Sequence, residues 1–291
     1  MGCFAEGLRH LLSCLFEGPG SGCPGFDQLQ GVHYSDLSAH APVAWRGSDC
    51  NLIGRGSTSD NPSSFSSRCY LNFAQFLVQS NIQPDDVMAA GVPVFCICGP
   101  SAAGKSFIAA ALAESLVASA IRPLLIACDD YYRSDWVPHP LFGYDTVEAI
   151  DVEALHCDLN RTMRREAADL RLYDMRSRQV SRRPIPSPYD VILLEGSYGP
   201  QALVDCFPFA GLFYIDESIP LRLFRRLRRD VRERHRPPGY VIRQMLSEML
   251  PGERSFIHPL RTRADVVVLK PTSAIPSLRM RIKRALAPDL G

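Results

Sequence analysis

Short, largely apolar segments recur along the chain from about residue 92 onward. Five of them have the length of a strand: VPVFCIC (92–98), RPLLIAC (122–128), DVILLEG (190–196), GLFYID (211–216) and ADVVVL (264–269). A strand that is covered on both faces reads as a continuous apolar run rather than as an alternation. The pattern therefore predicts five buried strands of a parallel sheet.

Segments with helical patterning fill most of the gaps between these strands. The predicted helices cover residues 71–82, 106–120, 149–168, 218–235 and 239–249. Buried strands that alternate with helices are typical of an α/β fold. We therefore expect a five-stranded parallel sheet with helices on both faces.

The first 68 residues lack this patterning. Residues 46–68 are rich in Ser, Gly and Asn, and such a segment buries too little apolar surface to offset the entropy of ordering. We predict a partly disordered N-terminal extension over residues 1–68 and one folded domain over residues 69–291.

Composition and charge limit the expected partners and cellular compartment of the protein. The formal net charge is +1, which gives no general reason to expect a nucleic-acid partner. No run approaches the roughly 18 apolar residues of a membrane span, so we expect no membrane association. Among the ten cysteines, Cys96, Cys98 and Cys128 lie inside apolar runs, where cysteine acts as a small hydrophobic residue. This usage favours a reducing compartment and a cytoplasmic protein.

The segment between the first strand and the next helix fits the pattern G-x-x-x-x-G-K-[ST]. It consists of Gly99, Pro100, Ser101, Ala102, Ala103, Gly104, Lys105 and Ser106. Glycines let backbone N–H groups turn towards phosphate oxygens, and the following helix begins with its positive end at the same place. We expect Lys105 to reach the phosphates and the Ser106 hydroxyl to ligate Mg²⁺, with Phe107 beside the nucleotide. The alternative is a tight turn that matches by chance.

Three acidic residues follow predicted strands. Asp129 and Asp130 follow the second strand and Glu195 lies near the end of the third. Ligands of an open α/β sheet bind at the carboxyl ends of the strands, so the two aspartates are candidates for catalysis and Glu195 is a candidate for holding Mg²⁺ through water. Helix capping is the alternative for the aspartates.

Arginine is concentrated in one segment. Residues 222–243 contain nine arginines against two acidic residues, a local charge of +7. A solvated helix face is the alternative. With so few acids nearby, a lid that closes over a nucleotide triphosphate and stabilises charge on the moving phosphoryl group is the better interpretation.

In this order the motifs resemble the uridine kinase branch of the P-loop kinases, which is related to the phosphoribulokinases. The resemblance covers about residues 92–269. It is carried by the glycine loop and by the segments DDYY, YDTVEAID, LYDMRSR, ILLEG, RLFRRLRRDVRERHR and HPLRTRADVVV. It implies a P-loop kinase fold with a small hairpin insertion over about residues 169–184 and an arginine-rich lid over about residues 222–243.

The resemblance also implies roles for individual residues. Asp129 would accept the proton of the acceptor hydroxyl, Lys105 and Arg229 would assist phosphoryl transfer, and Glu195 with Ser106 would hold Mg²⁺. Arg226 and Arg229 would contact ATP. The expected acceptor site contains Asp129, Tyr132, Asp145, Tyr173, Arg178, Arg234, Arg236 and Gln244.

Several positions depart from the family pattern on the acceptor side. Thr146 and Val147 replace His-Pro, Met175 stands where an aromatic side chain stacks on the base, and Arg178 stands where a histidine reads the pyrimidine. Arginine cannot accept a hydrogen bond, but it donates to carbonyl oxygens and clamps carboxylates or phosphates.

The sequence therefore supports three hypotheses. The first is an ATP-dependent kinase that acts on the 5′-hydroxyl of a pyrimidine nucleoside. The second is a kinase for another hydroxyl-bearing metabolite, such as a sugar phosphate or a modified nucleoside. The third is a non-catalytic nucleotide-binding regulator. The expected partner is a small molecule, and the sequence is compatible with a homo-oligomer.

Overall fold

The structure, a computed structural model, describes residues 91–287. Within them the strands are β1 (Val94–Cys98), β2 (Pro123–Ala127), β3 (Asp169–Tyr173), β4 (Val180–Pro184), β5 (Val191–Gly196), β6 (Gly211–Ile215) and β7 (Val266–Val268). Five of these form one sheet in the order β2-β5-β1-β6-β7, and every pairing in it is parallel. The predicted five-stranded parallel sheet is confirmed.

The helices connect the strands. They are α1 (Lys105–Val117), α2 (Val152–Met163), α3 (Pro200–Leu203), α4 (Ile219–Arg232), α5 (Pro238–Gln244), α6 (Leu250–Gly252) and α7 (Pro271–Leu286). Two π-helical turns, Met245–Met249 and Glu253–Ile257, flank α6, so that residues 238–257 are helical without a break. In the described part of the chain, no helix is long and apolar enough to cross a membrane.

Apolar side chains on the two faces of the sheet build two core layers. On one face, Phe95 and Phe213 pack with Leu112 of α1 and Leu278 of α7. The other layer contains sheet, helix and loop residues, among them Cys96, Leu194, Leu155, Leu159, Tyr198 and Ile257. Alternate residues of each strand point to opposite faces, which explains why the strands are apolar throughout. Helices therefore cover both faces, as predicted.

Some predicted element boundaries are wrong. The helix predicted over residues 149–168 is shorter, because Asp151 caps it by accepting a hydrogen bond from the N–H of Ala154 at 3.1 Å. It ends at Met163, shortly before Arg165 adopts a positive φ of 61°. The helix predicted over residues 239–249 splits into α5 and a π-helical turn. Helix α7 was not predicted, and the predicted helix over residues 71–82 lies outside the described residues.

Strands β3 and β4 form an antiparallel hairpin beside the main sheet, where the sequence predicted an insertion. Their register pairs Asp169 with Pro184 and Tyr173 with Val180. The backbone N–H of Tyr173 donates to Asp130 Oδ1 at 3.2 Å, which ties the hairpin to the turn after β2. Arg178 lies in the connecting loop with a positive φ of 60°.

Candidate active site

A cleft of about 410 Å³ opens at the carboxyl ends of the strands, between the glycine loop, the hairpin and α4. It brings together most of the residues that the sequence singled out. Those lining it are Ser101, Ala102, Gly104, Lys105, Ser106, Phe107, Asp129, Tyr132, Asp145, Tyr173, Arg178, Glu195, Arg226, Arg229, Arg234, Arg236 and Gln244. Gly99, Pro100 and Ala103 are buried and do not line it.

The glycine loop leads from β1 directly into α1. Gly99 has a φ of 142°, and a Cβ there would lie 2.4 Å from the backbone oxygen of Ile215, so only glycine fits. Gly104 precedes the helix with a φ of 97°. The buried Lys105 donates from Nζ to the backbone oxygen of Pro100 at 2.9 Å. The loop and helix thus form the anion-binding arrangement expected of a phosphate loop.

Burial and neighbouring charges have opposite effects on the pKa of Lys105. Burial lowers the pKa of Lys105, while the nearby carboxylates of Glu195 and Asp129 raise it. For Glu195, burial and the nearby Asp129 both raise the pKa, whereas the charge of Lys105 lowers it. The ammonium group therefore lies among acids that counterbalance it.

Ser106 and Glu195 form an oxygen pair at the base of the cleft. Ser106 Oγ donates to Glu195 Oε1 at 3.0 Å. Mg²⁺ prefers oxygen ligands and is commonly held by one or two protein groups together with substrate phosphates. In the described residues, no group of three or more His, Cys, Asp or Glu side chains could hold a metal. The pair fits an ion that phosphates help to bind.

The two aspartates after β2 have different surroundings. Asp129 lines the cleft, together with Tyr132. Asp130 does not line it, and its carboxylate accepts the hydrogen bond from Tyr173. Burial raises the pKa of Asp130.

Tyrosine side chains line part of the cleft, among them Tyr132, Tyr144 and Tyr173. The rings of Tyr132 and Tyr173 lie 6.1 Å apart. The guanidinium of Arg178 lies over the ring of Tyr144, 5.2 Å from its centre. Arg178 is thus held at the cleft by the hairpin loop and by a second element.

Arg226 contacts both the phosphate loop and Asp145. Its Nη1 lies 3.2 Å from Ser101 Oγ and 3.3 Å from Asp145 Oδ1, and the side chains of Arg226 and Asp145 are both buried. The family resemblance implied that Arg226 contacts ATP and that Asp145 binds the acceptor. The structure brings these two side chains into contact.

Asp230 is a fully buried carboxylate on α4, with several arginines around it. Its partners and their closest N···O distances are Arg229 at 2.9 Å, Arg234 at 3.5 Å, Arg236 at 3.5 Å and Arg226 at 3.9 Å. All four arginines line the cleft. Arg222 is also buried, so the solvated-face interpretation fails for part of this helix.

Some cleft residues were not predicted from sequence. They are Tyr144, Ser197, Tyr198 and Arg225, and Met175, a recognised departure from the family pattern, also lines the cleft. Tyr144 directly precedes Asp145, so its place in that motif was a usable signal. Ser197 and Tyr198 follow the ILLEG strand closely enough to reach the same edge of the sheet.

A phosphate loop between β1 and α1, opposing carboxylates and an arginine-rich helix over one cleft define a nucleotide-dependent phosphotransferase of the P-loop class. A profile described as "Phosphoribulokinase / Uridine kinase family" matches residues 94–275. That match spans more than half of the chain. The chain therefore belongs to the phosphoribulokinase and uridine kinase family, and it is a small-molecule kinase with ATP as phosphoryl donor.

Individual relatives are similar to this chain over more than half of its length. The uridine kinase of Lactobacillus helveticus (strain DPC 4571) is 31% identical over 182 residues, which cover 59% of this chain and 83% of that protein. The uridine kinase of Bacillus pumilus (strain SAFR-032) is 29% identical, covering 60% and 85%. Among solved structures, D-glycerate 3-kinase from Cryptococcus neoformans aligns over 67% of this chain and 87% of its own, with 15% identity and a TM-score of 0.45.

Proposed function

We propose that this kinase transfers the γ-phosphate of ATP to the 5′-hydroxyl of a pyrimidine nucleoside. The observation that carries the proposal is the convergence of Lys105, Asp129 and the Ser106–Glu195 pair on one cleft, which Tyr132 and Tyr173 also line. The first group supplies phosphoryl-transfer chemistry, and the tyrosines supply flat faces for a base. The relatives named uridine kinase support the same acceptor class.

In the proposed reaction the loop N–H groups and Lys105 hold the β- and γ-phosphates. Arg229, and Arg226 once it turns from Asp145, reach the same phosphates from the lid. Asp145 accepts hydrogen bonds from the ribose hydroxyls, while Gln244, Arg234 and Arg236 border the acceptor. Asp129 accepts the proton of the attacking hydroxyl as the new P–O bond forms and the bond to the ADP oxygen breaks.

Ser106 and Glu195 are the residues that would hold Mg²⁺, Glu195 through water. When bound, the ion neutralises charge on the β- and γ-phosphates. The protein contributes the hard oxygen donors and the Lys105 charge beside them.

A phosphoryl-transfer screen tests the proposal. The purified chain is incubated with ATP and Mg²⁺ and with uridine, cytidine, ribulose 5-phosphate or pantothenate, and ADP release is followed. We expect turnover with uridine or cytidine and none in the Lys105→Ala control. Removing a charge that stabilises the moving phosphoryl group commonly costs about a thousandfold in rate.

A second candidate, a kinase for an anionic acceptor, is favoured by the arginines on the acceptor side. Arg178, Arg234 and Arg236 all line the cleft, and arginine is well suited to clamp a carboxylate or phosphate. Turnover with ribulose 5-phosphate or pantothenate but with neither nucleoside would establish this candidate. ATP binding without turnover of any acceptor would instead favour the regulator hypothesis.

A further inference from the structure

Ser101, in the phosphate loop, is held by three hydrogen bonds from outside the loop. Its backbone N–H donates to Glu253 Oε1 at 2.8 Å, and its carbonyl accepts from Arg222 Nη1 at 3.2 Å. Its hydroxyl lies 3.2 Å from Arg226 Nη1. A loop residue that lines the cleft is therefore attached to α4 and to the π-helical turn that begins at Glu253.

Glu253 and Arg222 form a deeply buried ion pair. Each side chain is 1% exposed, and Arg222 Nη1 lies 2.8 Å from both carboxylate oxygens of Glu253. The desolvation free energy of two buried charges offsets much of their Coulomb attraction, so such a pair is weak evidence for a purely stabilising role. Its contacts with Ser101 suggest that it serves the loop.

The geometry of one peptide group connects Glu253 to Lys105. The carbonyl of Pro100 and the N–H of Ser101 belong to the same planar trans peptide, so they point in opposite directions. Glu253 accepts from the N–H, and Lys105 Nζ donates to the carbonyl at 2.9 Å. If this peptide turned over, both hydrogen bonds would be lost together.

We propose that Glu253 is a positioning residue of the phosphate loop. Supported by Arg222, its carboxylate sets the orientation of the peptide between Pro100 and Ser101, and so the place of the Lys105 ammonium before the nucleotide binds. Glu253 does not line the cleft and acts through the loop. The inference rests on the proposed function only through ATP binding and not through the identity of the acceptor.

Two matched double variants of the full chain isolate the hydrogen bond to Ser101. Both carry Arg222→Met, so that no buried cation is left without a partner. One adds Glu253→Gln, which keeps an oxygen for the Ser101 N–H, and the other adds Glu253→Leu, which has a similar size and no acceptor. The measurements are the dissociation constants of a non-hydrolysable ATP analogue with Mg²⁺ and of AMP, with thermal unfolding as the check on folding.

We expect the Leu variant to bind the ATP analogue about tenfold more weakly than the Gln variant, the effect of one hydrogen bond. Both variants should bind AMP equally, because AMP lacks the phosphates that Lys105 reaches. Equal affinities for the ATP analogue would overturn the proposal. An equal loss for AMP and the analogue would also overturn it, because a general structural defect would produce that result.

If the Leu variant does not fold, a single variant tests the role of Glu253 instead. Glu253→Asp retains the charge opposite Arg222 but withdraws the carboxylate by one methylene from Ser101. We expect weaker binding of the ATP analogue with unchanged AMP binding, and unchanged affinity for both would overturn the proposal. Failure of the wild-type chain to bind the analogue would refute the proposed function itself, which is a distinguishable result.

Discussion

At the scale of single residues, the two aspartates after β2 have neighbouring positions but different surroundings. Asp129 lines the cleft, whereas Asp130 accepts a backbone hydrogen bond from the hairpin. Asparagine at either position keeps the shape and an acceptor oxygen but cannot take up a proton.

We therefore predict that Asp129→Asn lowers kcat by about 10²- to 10⁴-fold with little change in ATP affinity, because a general base is lost. Asp130→Asn should remain active, because its amide oxygen can still accept from the N–H of Tyr173. Steady-state kinetics and ATP-analogue binding check both variants. An inactive Asp130→Asn beside an active Asp129→Asn would show that the base is assigned to the wrong residue.

Arg178 allows a second test at this scale. It lies over Tyr144 at the cleft, whereas Arg176 on the same hairpin loop is exposed and does not line the cleft. A charge-assisted hydrogen bond contributes about 1.5–3 kcal/mol.

Arg178→Ala should raise the KM for the acceptor by roughly 10- to 150-fold while the KM for ATP stays nearly constant. Arg176→Ala is the matched control and should leave both constants unchanged. If the two variants behave alike, Arg178 does not contact the acceptor.

At the scale of elements, the helical segment 250–257 contacts both the phosphate loop and the loop that carries Asp145. Glu253 contacts the phosphate loop, and the preceding Gly252 packs against the loop that carries Asp145. A Cβ on Gly252 would lie 2.2 Å from the backbone oxygen of Asp145 and 3.0 Å from the hydroxyl of Tyr198. Its backbone is ordinary helix, so space, and not a special φ, requires glycine here.

Gly252→Ala should therefore destabilise the fold by about 1–3 kcal/mol through overpacking and should raise the KM for the acceptor. Gly239 in α5 is the control, because a Cβ there meets nothing within 4 Å. Gly239→Ala should be neutral or stabilising by about 0.4–1 kcal/mol. Urea denaturation and steady-state kinetics measure both effects, and equal stability of the two variants would contradict the close packing.

A buried carboxylate on α4 lies among several of the arginines. Asp230 is fully buried beside Arg229 and three further arginines, whereas Glu233 on the next turn is exposed. Neutralising Asp230 removes its ion pairs, but Arg229 is partly exposed to water and Arg226 keeps Asp145 as a partner.

Asp230→Asn should lower the free energy of unfolding by about 1.5–3 kcal/mol, the range for a hydrogen bond to a charged group, whereas Glu233→Gln should change it by less than about 1 kcal/mol. Chemical denaturation of both variants provides the comparison. A similar small effect in the two would mean that the four arginines do not need the Asp230 carboxylate between them.

At the scale of the whole molecule, the described residues that line the cleft all lie between Ser101 and Gln244. The family profile matches residues 94–275, which includes all of them. We predict that a fragment of residues 69–291 binds a non-hydrolysable ATP analogue with the affinity of the full chain. Calorimetry on both proteins tests this, and a clear loss of affinity in the fragment would place part of the nucleotide site in residues 1–68.

The sequence by itself determined the sheet, the phosphate loop and most of the cleft. Buried strands leave continuous apolar runs, and the loop needs glycine at Gly99 because Ile215 approaches it closely, so local residue choice records both features. The strand-to-helix connections also place Asp129 and Glu195 at one edge of the sheet, since parallel strands end together.

Only the tertiary structure decided how these groups are held. Glu253 lies 152 residues from Ser101 and belongs to none of the recognised motifs, and Arg226 meets Asp145 across 81 residues. Neither contact leaves a periodic or compositional signal, because each depends on how a distant helix packs over the loop. Helical spacing puts Arg222 and Arg225 on neighbouring faces of α4, but only the packing shows that the face with Arg222 is the buried one.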